Sequence, residues 1–211
     1  SKFNEILIET KKNNIKVQKI TNDKIYEISN VKSHQGVLAV AKKKDEILER
    51  DIINYLANQP SNKILLILDE VSDPRNFGAC LRICDAYDIS AVIIKDHDSV
   101  KMNETVRKVA AGSAETTPIV RVKNISRMLE ILKKNNYWIY GATDKAENDI
   151  NEMTFNTPVA LVIGGESMGL RQKTLKNCDY TIKINMCGVV ESLNMAVATG
   201  IIVNTIHSKI K

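Results

Sequence analysis

Several signatures are missing from this chain of 211 residues. No apolar run approaches the roughly 18 residues that a membrane-spanning helix needs, and the polar start Ser1-Lys2-Phe3-Asn4-Glu5 has no signal-peptide pattern. The expectation is a soluble, cytoplasmic protein with no membrane partner. The four cysteines, Cys80, Cys84, Cys178 and Cys187, form no Cys-x-x-Cys pair and have no histidine beside them to complete a metal site. Free thiols and metal-free chemistry are therefore expected. His34, His97 and His207 are scattered, which removes support for a zinc centre or a Ser-His-Asp triad. Charge of one sign does not dominate either. With 30 bases against 25 acids the net charge is +5, a mild bias toward an anionic partner and far from a polycation. Internal repeats and low-complexity tracts are absent too.

What is there is a rhythm of apolar, β-rich runs at 64–68, 91–94, 119–122, 137–142, 159–163 and 180–184. Their starts lie roughly two dozen residues apart, room for a strand, a loop, a helix and a return. Helical patterns fill the intervals at 77–87, 104–111 and 126–134. Strands that are apolar without alternation are covered on both faces, so the pattern predicts an α/β fold, a parallel sheet between layers of helices.

The first forty residues read differently. Segments 15–17 and 36–41 look like strands flanking a short helix near 22–28, and Lys42-Lys43-Lys44-Asp45-Glu46 then interrupts the apolar pattern as a solvated linker. An amphipathic helix is expected over 45–58. The boundary predicted from this is 1–44 for a small module and 45–211 for the main domain. A forty-residue α/β piece is too small to hold a core alone.

Three segments carry polar and turn-forming residues where chemistry could sit. The first is Asp73-Pro74-Arg75-Asn76-Phe77-Gly78, followed by Arg82. In open α/β sheets, loops at the carboxyl ends of strands build the site. Asn76 is placed either to cap the next helix or to serve a site. Arg82 lies about 140° round from Phe77 on a helical wheel, off the stripe of Phe77, Cys80, Leu81 and Cys84, facing a cleft or solvent. The second segment is Gly164-Gly165-Glu166-Ser167-Met168-Gly169 after a buried strand. It has neither the Gly-Lys-Ser/Thr of a P-loop nor the spacing G-x-G-x-x-G, and Glu166 would repel phosphates. A ribose or a sulfonium compound fits better, and a tight turn with a capping glutamate is the structural alternative. The third segment runs from Ile184 through Met186 to Ser192-Leu193-Asn194. It leads into a helix apolar nearly all round, as in a core or an oligomer interface. Ser192 is the expected N-cap, with Asn194 in the first turn.

Each segment alone is weak. The ordered set Asp73-Pro74-x-Asn76-x-Gly78 with Arg82, Gly164-x-Glu166-x-x-Gly169, and Ser192-Leu193-Asn194 resembles the three motifs of the SpoU (TrmH) family of RNA 2′-O-ribose methyltransferases. The resemblance covers roughly 64 to 207. Ser33-His34-Gln35-Gly36-Val37 looks like the end of the small ribosomal-protein-like RNA-binding domain of many members, here without its first half. The resemblance implies a SPOUT fold with a C-terminal trefoil knot, S-adenosyl-L-methionine as cofactor, a homodimer, and structured RNA as substrate, rRNA before tRNA. It implies that Gly164, Ile184 and Leu193 contact the cofactor, with Thr143 and Met186 nearby. Arg82, Asn76, Glu166, Ser192 and Asn194 would form the catalytic site. Asn185 departs from the pattern, since many relatives have proline there.

Overall fold

A parallel strand buried on both faces sends alternate side chains into two cores, and the run Ile64–Leu68 does so. Ile64, Leu66 and Leu68 belong to one apolar cluster, Leu65 and Ile67 to the other. The computed structural model describes residues 2–29, 36–40, 46–60, 63–165 and 168–210. It divides into two compact units, Ser1–Lys43 and Lys44–Lys211.

In the first unit, helix α1 spans Lys2–Lys12 and α2 spans Asn22–Ser29. The hydroxyl of Thr21 accepts from the amide of Lys24 at 3.3 Å and closes the start of α2. The short helix is where the sequence places it. The two strands are not. Residues 15–20 and 37–40 form no ladder among the described residues, and Ala41 lies outside them. Ile15 and Val17 are exposed, so their alternation faces no covering layer among the described residues, and the Ile15 amide donates to the carbonyl of Thr10 at 2.8 Å instead of to a strand.

The second unit begins with Ile47 bridged to Val120. A single 3₁₀ turn over Glu49–Asp51 leads into α3, Ile52–Ala57. The helix expected over 45–58 is thus shorter at its start. Residues 46–48 are drawn out along β3 instead, where Glu46 pairs with Arg121 at 3.4 Å; Asp45 lies outside the described residues. The remaining elements are β1 Ile64–Leu68, α4 Pro74–Ala86, β2 Ala91–Lys95, α5 Glu104–Ala110, α6 Ser113–Thr116, β3 Ile119–Val122, α7 Ile125–Lys134, β4 Trp138–Ala142, β5 Asn148–Asp149, β6 Val159–Ile163, α8 Gln172–Leu175, β7 Tyr180–Lys183 and α9 Met195–Lys209.

The strands form one seven-stranded sheet in the order β3-β2-β1-β6-β4-β7-β5. Every pairing is parallel. One face carries α4, α5 and α9 through Phe77, Leu81, Val106, Ile202 and Val203. The other carries α3 and α7 through Ile52, Leu56, Met128, Leu129 and Leu132. The expected parallel sheet with helices on both faces is therefore what forms. Because all strands run one way, every carboxyl end opens on the same edge, and the order reverses between β1 and β6. No helix among the described residues is long and apolar enough to cross a membrane.

Candidate active site

Asp73, not Asn76, caps α4: its carboxylate accepts from the amide of Arg75 at 2.8 Å, with Pro74 in the first turn. Proline needs no partner for a missing N–H, so Asp73-Pro74 starts the helix three residues before the asparagine. Asn76, half-buried in the first turn, is left for another task. Its Oδ1 accepts from Nδ2 of Asn194 at 3.0 Å. Arg82 is exposed on the same helix, off the buried face of Phe77, Cys80, Leu81 and Cys84. Among the described residues it has no ion-pair partner, and no hydrogen bond joins it to the other candidates.

The end of α9 was expected to be capped by Ser192. The cap is Asn194, whose Oδ1 accepts from the amides of Ala196 and Val197 at 2.9 and 3.4 Å. Its carboxamide therefore works at both ends: the oxygen closes α9 and the nitrogen reaches α4. Ser192 is exposed two residues outside the cap, and Leu193 between them is half-buried.

At the end of β6 the chain doubles back. Gly165 and Gly169 exchange backbone hydrogen bonds of 3.2 and 3.0 Å, and Gly169 sits at φ 62°. Gly164 touches its own loop so closely that a Cβ there would lie 2.2 Å from the carbonyl carbon of Gly169. Glu166 and Ser167 lie outside the described residues. Two acids that the sequence reading passed over hold the base of this loop. Asp69, 1% exposed, accepts from the hydroxyl of Thr174 at 2.7 Å. Glu70, with φ 71°, pairs with Arg171. Asp69 is detectable in principle, as a carboxylate placed directly after five apolar residues.

Thr143, half-buried, follows β4, and its amide donates to the carbonyl of Ile182 at 2.9 Å. Gly164, Thr143 and Ile184 thus follow the ends of β6, β4 and β7, three neighbours in the sheet. At about 4.8 Å per strand they span roughly 10 Å, the size of a nucleoside. Half-buried Ile184, Met186 and Leu193 add apolar surface to these backbone groups. Such a set fits an adenosyl group carrying a sulfur, the chemistry of S-adenosylmethionine.

All four cysteines are free thiols. Burial pushes the Cys178 thiol up to about 12 and that of Cys84 well above its ordinary value. Cys187 is exposed in the 184–193 loop. Among the described residues no group of three or more His, Cys, Asp or Glu could hold a metal ion.

Comparison with known proteins agrees with this geometry. Residues 63–204 match the SpoU rRNA Methylase family, and residues 1–47 match the RNA 2′-O ribose methyltransferase substrate binding family. The 23S rRNA (guanosine-2′-O-)-methyltransferase RlmB of Vibrio vulnificus is 41% identical over 196 residues, 93% of this chain and 79% of that protein. RlmB of Haemophilus influenzae is 45% identical over 169 residues, 80% of this chain and 68% of that protein. Among solved structures, the SpoU methyltransferase AviRb from Streptomyces viridochromogenes, in complex with AdoMet, matches with a TM-score of 0.66 at 24% identity. That match covers 71% of this chain and 58% of the other, and it bears on the fold. The chain belongs to the SpoU rRNA Methylase family.

Proposed function

We propose that this protein transfers a methyl group from S-adenosyl-L-methionine to a ribose 2′-hydroxyl of 23S rRNA in the cytoplasm. The observation that carries the reading is the Asn76–Asn194 bond, which joins the first and third motifs at the strand-end edge where the glycine loop turns. Support comes from relatives named as 23S rRNA (guanosine-2′-O-)-methyltransferases at 40% identity and above. A net charge of +5 favours the anionic substrate.

Gly164, Thr143, Ile184, Met186 and Leu193 hold the cofactor in this reading. Bound there, S-adenosylmethionine supplies an electrophilic methyl group on a sulfonium sulfur. The remaining task belongs to the protein: the ribose must be held in line, and the negative charge growing on its 2′-oxygen must be stabilised. Arg82 is the cation for that role. Its guanidinium offers five N–H donors and no acceptor, so it orients the RNA phosphate and stabilises the oxyanion instead of removing the proton. Asn76 and Asn194 fix the position of α4 against α9, and Glu166 and Ser192 complete the RNA side. Residues 1–44 serve as an RNA-binding module and 45–211 as the catalytic domain, an arrangement that the division after Lys43 supports.

A trefoil knot and a homodimer belong to the same proposal. On α9, Val197 and Ile201 are 51% and 39% exposed on a helix whose opposite side is buried. An apolar second face of this kind suits a second copy, and light scattering at micromolar concentration should give twice the monomer mass.

The test is transfer of tritium from labelled S-adenosylmethionine to 23S rRNA taken from cells lacking the gene. Arg82→Ala should lower the rate by about 10²- to 10³-fold while cofactor affinity is unchanged. Near-normal rates in that variant would remove Arg82 from the chemistry. Transfer to tRNA alone would change the substrate, and no transfer to any RNA would leave a silent RNA-binding protein.

A further inference from the structure

Between β7 and α9 the loop 184–193 has no regular structure of its own, yet it carries Ile184, Met186 and Leu193. Asn194 anchors its far end to α4 and α9. Its near end needs an anchor of its own, and Asn185 supplies one. The Nδ2 of Asn185 donates to Oδ2 of Asp149, the last residue of the two-residue strand β5.

Asp149 is placed to bear this. Its other carboxylate oxygen accepts from the amide of Asn151 at 2.7 Å, and its carbonyl accepts from the amides of Glu152 and Met153 at 3.0 and 3.2 Å. The amide of Ile150 donates to the carbonyl of Lys183 at 3.0 Å, and Nδ2 of Asn148 to that of Thr181 at 2.9 Å, which fastens this turn to β7. From the other side Lys209, in the last turn of α9, donates its ammonium to the carbonyls of Ile150, Asn151 and Met153 at 3.3, 2.6 and 2.8 Å. The contacts close a circuit. Asn194 starts α9, Lys209 ends it and grips the 149–153 turn, Asp149 holds Asn185, and the loop returns to Asn194.

We propose that Asp149 is a positioning residue for the cofactor loop, acting through Asn185, with Lys209 securing the turn on which Asp149 stands. The proposal rests on the assignment of residues 184–193 to the cofactor. A bond to a carboxylate fixes both the place and the direction of the loop's first residues. It does for this chain what a stiffer residue at 185 would do through its backbone. A carboxylate serving only its own turn would need the amide of Asn151 and nothing beyond the turn.

Exchange of the two partners separates these roles. Asn185→Ala should weaken S-adenosylmethionine binding, measured by calorimetry, by about five- to tenfold. Deuterium exchange over 184–193 in the ligand-free protein should rise. Asn185→Asp, which sets two carboxylates face to face, should be worse in both readouts. Asp149→Asn combined with Asn185→Asp recreates one donor and one carboxylate acceptor and should return both readouts toward the wild type. The rate constant kcat at saturating cofactor should change less than twofold throughout. If the exchanged pair behaves no better than Asn185→Asp alone, or if Asn185→Ala leaves loop exchange and affinity unaltered, the tether has no such role. Should the wild type bind no S-adenosylmethionine, the cofactor assignment fails, while the exchange measurement still decides whether Asp149 orders the loop.

Discussion

Adding one methyl group at Gly164 tests whether the second loop is built by contact or by flexibility. The Cβ of an alanine would lie 2.2 Å from the carbonyl carbon of Gly169, 2.4 Å from the amide of Leu170 and 2.6 Å from the Gly169 oxygen. These are backbone atoms, so no side chain can swing aside. Ordinary contact begins at 3.4 Å, and the two limbs of the loop must separate by about 1.2 Å. Overpacking of this size costs about 1–3 kcal/mol. At about 2–4 °C per kcal/mol for a chain this long, Tm should fall by roughly 2 to 12 °C. A shift of about 1 Å would also misplace the backbone groups proposed to hold the cofactor. Losing two hydrogen bonds at about 1 kcal/mol each corresponds to about a 30-fold loss of affinity. Gly169→Ala is the control from the same loop. Nothing lies within 4 Å of its Cβ, and its φ of 62° imposes only the left-handed cost of about 1–2 kcal/mol. Calorimetric titration of S-adenosylmethionine into each variant, with melting curves alongside, gives the answer. Gly164→Ala binding within twofold of the wild type, or Gly169→Ala binding more weakly than Gly164→Ala, would refute the reasoning.

Asn194→Ala should remove about 1 kcal/mol through the lost cap of α9 and reduce methyl transfer, whereas Asn194→Asp keeps the acceptor for Ala196 and Val197 but has no donor for Asn76. The aspartate variant should therefore melt like the wild type and still be slow; normal turnover in a methyl-transfer assay would show that the Asn76 bond is dispensable. Thiol titration near pH 8 should label Cys187 at once and the other three only on unfolding. Since the Cys178 thiol is raised, the stability gained by keeping it protonated is full below the ordinary thiol pKa and is lost as pH climbs toward about 12. Melting curves across that alkaline range check the sign.

The main sheet was readable because each long strand is a five-residue apolar block or close to it, a pattern that survives any choice of neighbours. The cap assignments were less readable. Asn76 and Ser192 are good cap residues, but Asp73-Pro74 and Asn194 each sit where the first free amides of the folded helix point. Segment 15–17 alternates and 36–41 is a short apolar run, both strand-like, and neither pattern can say whether a partner strand will be there. Strand β5 has two residues and no apolar content, so nothing local announces it; its pairing depends on β7, which lies more than thirty residues on. The three motifs could be ordered from the sequence, and the fold now shows Gly164, Thr143 and Ile184 in a row. The Asp149–Asn185 and Asp69–Thr174 contacts join residues far apart in the chain, beyond the reach of any pattern read along it.

The Asn76–Asn194 bond spans 118 positions. On a ribosome, α4 emerges long before its partner exists, and Arg82, which follows Asn76, is made while the loop 184–193 is still unwritten. Folding of the sheet can begin early, from β1 and β2, but the site stays open until α9 has been extruded and docked. Nascent chains that lack α9 would thus be inert toward RNA, and competence to methylate would arrive only with that helix.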